Sequence, residues 1–335
     1  MRQQYKWLVG AVMGGILCMS SVSCVDEIKF GNSFLDKAPG GTATKDTVFN
    51  SATYTRQFLN TCYSRQYYGL PYGNSSGTDF PDSSNPYLGK FDALTDCWQL
   101  HYESTTIYNS YYSGTHSASD NNSGKVRGDI FGYTREVVWQ VVRWCWLLLE
   151  NVDNVPGMSD KEKTQIKAEA KCIMAARYFD MFRHYGGLPL IFESFSGTES
   201  SYSLPRATVE ETVKYMINLL DEAINSGGLE WAYTGADATT ETGHWTKAGA
   251  MALKCKIWQF AASPLFNASQ GYAGGSSEAE QQHLVWYGSY RSELWDNCLT
   301  ACKEFFNAMA LNGFYQLKEA AGDTPADYRY AYRMG

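Results

Sequence analysis

Aromatic and polar side chains gather at three places along this 335-residue chain. Trp98 and Tyr102 stand beside Asp96 and Gln99, Trp231-Ala232-Tyr233 forms a second group, and Trp286-Tyr287 a third. A sugar ring presents a C–H face that packs on a flat aromatic side chain, and its hydroxyls are taken by carboxylates, amides and cations. Such a platform grips a ligand and needs no reactive group. All three groups fall in stretches without helical period, where an aromatic side chain is more informative than on an apolar stripe. By that rule Trp139, Trp144, Trp258 and Trp295 are assigned to the core. The alternative for the loop rings is that they pin long loops to the surface.

Reactive chemistry has less support. Gly73-Asn74-Ser75-Ser76-Gly77 fits G-x-S-x-G, but a nucleophile elbow needs a strand before it and a helix after it. Here Pro71 precedes it and Pro81 and Pro86 follow, so it reads as a polar loop. There is no HExxH and no P-loop. His101, His116, His244 and His283 are scattered, and His184 beside Tyr185 caps or packs a helix end. The cysteines form no CxxC pair and no Cys/His cluster at zinc spacing, so neither metal nor cofactor is expected. A glycosidase needs two carboxylates roughly 5–10 Å apart in one cleft, which sequence spacing does not reveal. The residues favour a binding protein over an enzyme.

The N-terminus sets the location. Arg2 and Lys6 precede an apolar run from Leu8 to Met19. That run is much shorter than the roughly 20 residues needed to span a bilayer. A basic start, a short apolar middle and a small-residue end describe a secretory signal peptide, residues 1–23. Ser21-Val22-Ser23-Cys24 resembles a relaxed lipobox, in which Cys24 is lipidated and becomes the mature N-terminus. The other reading is ordinary cleavage with Cys24 left free; Cys18, preceded by bulky Leu17, is a weaker lipidation candidate. Several acyl chains on one cysteine give stable anchoring where one gives little. Residues 24–45, rich in Gly, Thr, Lys and Ala, suit a tether, and 46–335 form the folded domain. Asp26 and Glu27 resemble the export tag of surface-exposed Bacteroidetes lipoproteins.

Net charge is −7 and no stripe of Lys and Arg is visible. Binding a phosphate backbone needs clustered cations, so nucleic acid is excluded as a partner. Seven cysteines lie beyond Cys24, an odd number that argues against a complete disulfide framework. Cys298 and Cys302 share a helical face and read as small buried apolar side chains.

Helical period recurs along the chain. The pattern predicts helices around 51–66, from Val137 to Leu149, from Ser159 to Tyr185, from Thr208 to Ile224, from Thr246 to before Pro264, and from Leu294 to Met309. Ser159-Asp160-Lys161-Glu162 and Thr208-Val209-Glu210-Glu211 fit capping boxes. Strand signals are thin, with Leu188–Phe192 the best extended stretch. Helices joined as hairpins predict a mainly α fold, an α-α superhelix of tetratricopeptide type, with no clean 34-residue period. Long loops at 67–133, 193–206, 227–245 and 267–290 separate the helices; loops of such length are usually functional or disordered.

Four segments in order resemble the SusD/RagB family of Bacteroidetes outer-membrane nutrient-binding lipoproteins. They are "FLDKAPGGTATKDTVFNS" (Phe34–Ser51), "AEAKCIMAARYFDMFRHYGGLPLI" (Ala168–Ile191), "LPRATVEETVKYMINLLDEAI" (Leu204–Ile224) and "TKAGAMALKCKIWQFAASPLFN" (Thr246–Asn267). The resemblance departs at Met174, where the family usually has Arg, and at Trp146, where it usually has Asn. Family members commonly run well past 335 residues, so part of the C-terminal region is expected to be missing. The resemblance implies a SusD-like superhelix with long loops and a cell-surface lipoprotein at the outer membrane. That protein would capture oligosaccharide or polysaccharide and hand it to a SusC-like TonB-dependent transporter. It supports Trp98 and the Trp286 region as ligand contacts. An α-repeat scaffold for proteins, or a peptide-binding member of the same family, is the alternative.

Overall fold

The computed structural model describes residues 44–66, 96, 136–195, 203–316 and 324–326. The chain divides into two units at Val48–Phe49. Of the first, residues 44–48 are described: Thr44 caps helix α1 (Lys45–Phe49), its hydroxyl accepting the Thr47 N–H at 3.2 Å. Cys24, Trp98, Gln99 and Tyr102 lie outside the described residues, and Asp96 is exposed in a turn.

The second unit is an array of helices, with no strand among its described residues. Its long members are α2 (Ala52–Tyr63), α3 (Glu136–Asn151), α4 (Asp160–Tyr185), α5 (Val209–Asn225), α7 (Lys247–Ala262) and α9 (Glu293–Asn312). Short α6 (Asp237–Thr240) and α8 (Glu278–Gln281) lie in the connections. Packing follows chain order: α3 on α4, α4 on α5, α5 on α7 and α7 on α9, with α2 against both α3 and α4. This is the tetratricopeptide-like superhelix that the helical periodicity predicts. Among the described residues no helix is long and apolar enough to cross a membrane.

The caps say why the helices begin where they do. Ser51, Ser159, Thr208 and Thr246 each accept an N–H of the following turn. At Thr208 the capping box is complete, because Glu211 returns a carboxylate to the Thr208 N–H at 2.8 Å. At Ser159 it is half made. Glu162 turns away to pair with Arg56 of α2, so a tertiary ion pair displaces the local one.

α4 is buried on most sides, and Ile173, Met174, Tyr178, Met181 and Phe182 are all fully enclosed. Burying each such side chain contributes about 1.5–3 kcal/mol. Met174, at the position where an arginine was expected, simply fills core. Trp146 donates its ring N–H to the Ile191 carbonyl at 2.9 Å, so the second departure is structural too.

The motif after α4 joins three segments. Gly186 has φ +73°, and a Cβ there would lie 2.5 Å from the Leu284 carbonyl oxygen; one on Gly187 would lie 1.9 Å from that of Ala207. Only glycine permits this approach. Arg206 then donates to the carbonyls of Tyr185 and Gly187 at 2.5 and 2.9 Å, locking the junction. The stretch before it is pinned as well: Arg143 Nε donates to Phe195 O at 2.7 Å and Ser194 N–H to Glu150 at 2.7 Å. Leu188–Phe192 runs without forming a strand.

After α7 the Ser263–Asn267 turn does similar work. Phe266 stacks on Phe182 with centroids 4.6 Å apart. Buried Asn267 accepts the Arg291 N–H at 2.7 Å and donates to the Arg291 carbonyl at 2.9 Å, tying α7 to the start of α9.

α9 corrects two expectations. Its inner face carries buried Leu294, Cys298 and Ala301. Trp295 is displaced from that row by one residue, about 100° round the helix, and is 43% exposed rather than core. Leu299 and Phe306 continue its outward row. Cys298 is buried, but Cys302 is only half-buried and faces Cys255 of α7, whose thiol is pushed up to about 12 by burial and by that neighbour.

Candidate functional site

The third loop, from Leu229 to Trp245, brings the second aromatic group to the surface. Gly228 lets the chain pass against α4, since a Cβ there would meet the Thr164 carbonyl oxygen at 2.5 Å. The Lys247 N–H donates to the Glu230 carbonyl at 2.8 Å and closes the loop at its base. Trp231 is thereby placed at the mouth of a groove of about 620 Å³ between α5, α7 and the end of α9. Its ring N–H donates to Gly313 O at 3.0 Å, and Tyr315 and Phe305 flank it with centroids at 6.0 and 6.5 Å. The indole is half-buried and fixed.

The rest of the groove mixes apolar side chains, among them Ile224, Met251 and Leu311, with polar and charged ones. Asp221, Asn225, Lys254, Glu304 and Asn312 line it with Met251. Lys254 Nζ lies 2.6 Å from Asp221 Oδ1 and 3.8 Å from Glu304 Oε2. A fixed ring beside two carboxylates, two amides and the ammonium groups of Lys247 and Lys254 supplies a stacking surface with donors and acceptors around it. It offers no activated nucleophile.

Tyr233, two residues further on, is not in this groove. Its hydroxyl donates to Trp245 O at 3.3 Å, and burial, with Glu169 and Glu241 nearby, pushes its pKa up. The third aromatic group is inside the protein. Trp286 is 9% exposed and spends its ring N–H on Glu280 O at 3.1 Å; Tyr287 is 3% exposed with the Arg291 guanidinium over its ring. Their rings present no open face. The loop around them is compact because Glu280, at the end of a capping box, accepts the N–H groups of Ala273 and Gly275 at 2.7 and 2.9 Å. Of the predicted contacts, only Trp231 lies at a groove among the described residues.

Sequence reasoning missed a polar cluster beneath the third loop. Glu169 of α4 has no exposed surface. Its carboxylate accepts from the Tyr63 hydroxyl at 2.7 Å and from Gln165 at 2.8 Å, and lies 3.0 Å from His244 Nδ1. Tyr63 also accepts the Trp245 N–H at 2.8 Å and stacks on His244 at 4.5 Å between centroids. The hydrogen bond to Glu169 raises the His244 pKa above its ordinary value, against the effect of burial. Burial, then the Glu169 charge, holds the Tyr63 hydroxyl protonated. The cluster is a latch that fixes the loop bearing Trp231 to α2 and α4. Among the described residues no group of His, Cys, Asp and Glu side chains could hold a metal ion.

No family model matches the sequence, and no curated protein matches it. Solved structures do match. BT4246 superposes with a TM-score of 0.56 at 22% identity, over 84% of this chain and 46% of that one. A SusD-like protein from Bacteroides fragilis NCTC 9343 gives 0.52 at 19% identity, over 88% and 44%. A SusD homolog from Bacteroides thetaiotaomicron VPI-5482 gives 0.51 at 16% identity, over 80% and 48%. The chain spans less than half the length of these structures, and its fold is the SusD-like fold.

Proposed function

We propose that this chain is a SusD/RagB-type receptor, lipid-anchored through Cys24 at the outer-membrane surface. It captures oligosaccharide or polysaccharide and passes it unchanged to a SusC-like TonB-dependent transporter. The Ser21-Val22-Ser23-Cys24 sequence supports the anchor. The four ordered motifs and the SusD-like fold support the family and, through it, the transporter as partner.

One observation carries the glycan reading: the Trp231 groove. A fixed indole ringed by Asp221, Lys254, Glu304 and Asn312 suits a sugar, whose C–H face needs a ring and whose hydroxyls need mixed donors and acceptors. Ligand pockets are mostly apolar with a few placed polar groups, and this groove sets such groups among Ile224, Met251 and Leu311. Trp98, Gln99, Tyr102 and Asp96 remain candidates for further contacts.

A glycan panel screened against the full chain and its Trp231→Ala variant tests this. Retention of at least one oligosaccharide by the wild type, lost in the variant, supports it. Binding of peptides and no sugars moves the reading to a protein-interaction scaffold. Incorporation of labelled palmitate in cells, abolished in Cys24→Ala, tests the anchor separately.

A further inference from the structure

The outer row of α9 is apolar where a water-facing row would be polar. Trp295, Leu299, Cys302, Phe306 and Met309 recur at alternating four- and three-residue steps, the seam spacing of paired helices. Trp295 is 43% exposed, Leu299 52% and Phe306 62%, with Cys302 and Met309 half-buried between them. α5 supplies the contrast. Its outward positions are Glu211, Lys214, Asn218, Glu222 and Asn225, all exposed and all polar. Stacked helices stay soluble when the outermost face is polar, and a contiguous apolar face marks an interaction surface.

The charges beside the seam bear on what fits it. Buried Leu294, Cys298 and Ala301 lie on the side toward α7. Asp296 and Lys303 stand on the opposite flank, two helical turns apart, and both are exposed. Neither takes part in an ion pair among the described residues. This one flank therefore holds one free charge of each sign, with Leu299 and Cys302 between them.

A second α9, laid antiparallel on the seam about a two-fold axis between Leu299 and Cys302, matches these features. Trp295 then faces the partner's Phe306, Leu299 faces the partner's Cys302, and Asp296 faces the partner's Lys303. The two-fold axis makes each contact twice. In a parallel pairing the two charged flanks would lie on opposite sides of the seam and never meet, so the charges select the antiparallel arrangement.

We propose that the outer row of α9 docks a second copy of this chain. A single helix seam is smaller than the roughly 1,200–2,000 Å² of a stable interface, so the pairing is weak. Dimers form at about 100 μM, and at about 1 μM the chains are monomers with the row bare. The proposal does not rest on the glycan reading, because no residue of the seam lines the Trp231 groove.

Sedimentation velocity of the full chain carrying Cys24→Ala, which removes the proposed lipid, tests it between about 1 and 100 μM. A dimer is expected at the upper end. Phe306→Asp, at an exposed position, should abolish the dimer without lowering the melting temperature measured at about 1 μM. Asp296→Lys and Lys303→Asp should each weaken pairing about tenfold, and the two together, which exchange the charges, should restore it to within about threefold. A wild type still monomeric at the highest concentration overturns the proposal. So does a dimer indifferent to Phe306→Asp, or a double variant that pairs no more tightly than either single one. A monomeric wild type that Phe306→Asp destabilises assigns the row to another part of the same chain; one that binds phosphatidylcholine vesicles through Trp295 assigns it to lipid. Either result overturns the second copy as occupant.

Discussion

His244 Nδ1 lies 3.0 Å from Oε2 of Glu169, a carboxylate with no exposed surface, and 75 residues separate the two in the chain. Glu241 Oε2 stands 3.5 Å from the same nitrogen. A histidine with two carboxylates near one ring nitrogen favours its charged form, and the Glu169 hydrogen bond raises its folded pKa above the unfolded value. The stability this contributes is fully present below the unfolded pKa of about 6.5 and is lost as pH rises through the higher folded value. Urea denaturation of wild type and His244→Gln should therefore show a larger gap at pH 6 than at pH 9. An equal gap at both pH values would remove the linkage.

Tyr63 is the second arm of the latch. Its hydroxyl donates to Glu169 and accepts the Trp245 N–H, so Tyr63→Phe leaves buried groups unmatched. The expected loss is about 1–3 kcal/mol, read from the denaturation midpoint. Glu169→Ala, which strips one partner from a buried pair, should cost more, about 3–5 kcal/mol. A smaller loss for Glu169→Ala than for Tyr63→Phe would mean that the carboxylate is not the hub.

The Trp pair separates binding from packing. Trp286→Ala empties an enclosed site and should cost about 3–5 kcal/mol. Trp231→Ala, from a half-buried position, should cost clearly less stability while abolishing glycan retention. Thermal melts beside affinity electrophoresis on a polysaccharide gel would show both effects, and a reversed pattern would sink the groove assignment.

Two glycines measure the junction after α4. Gly187→Ala drives a methyl into the Ala207 carbonyl and should cost about 3 kcal/mol through overpacking. Gly157 has φ +71° and open space around it, so Gly157→Ala should cost only the left-handed penalty of about 1–2 kcal/mol. Similar losses at both sites would mean the backbone at the junction yields.

On α9, Leu294→Ala should destabilise by about 2–5 kcal/mol. Leu299→Ala, half exposed on the outer row, should stay within about 0.5 kcal/mol. Equal effects would show that both rows are covered in solution.

Helix starts were legible because their signals are local: Ser159, Thr208 and Thr246 each act on an N–H within three residues. The same locality hid the rest. Glu169 and Tyr63 are 106 residues apart, and nothing in either neighbourhood announces the other. Trp286 lacked helical period, which suggested a loop ring free to meet ligand. That loop instead folds back on α8 and takes the indole N–H at Glu280, a closure that no periodicity encodes. Trp231 is held at an open groove by Gly313, Phe305 and Tyr315, all distant in sequence. Trp295 sat on an apolar stripe, but α9 carries two adjacent stripes and its neighbour covers only one.

The clamps at either side of residues 196–202 have an evolutionary consequence. Arg143 and Glu150 of α3 hold Phe195 and Ser194, and Arg206 holds its own segment to the junction after α4. Because Ser194, Phe195 and Arg206 are each fixed independently, a change of length between them puts no strain on α4 or α5. Relatives should differ most in length there, and a short epitope grafted between residues 198 and 200 should leave the melting temperature of the array unchanged.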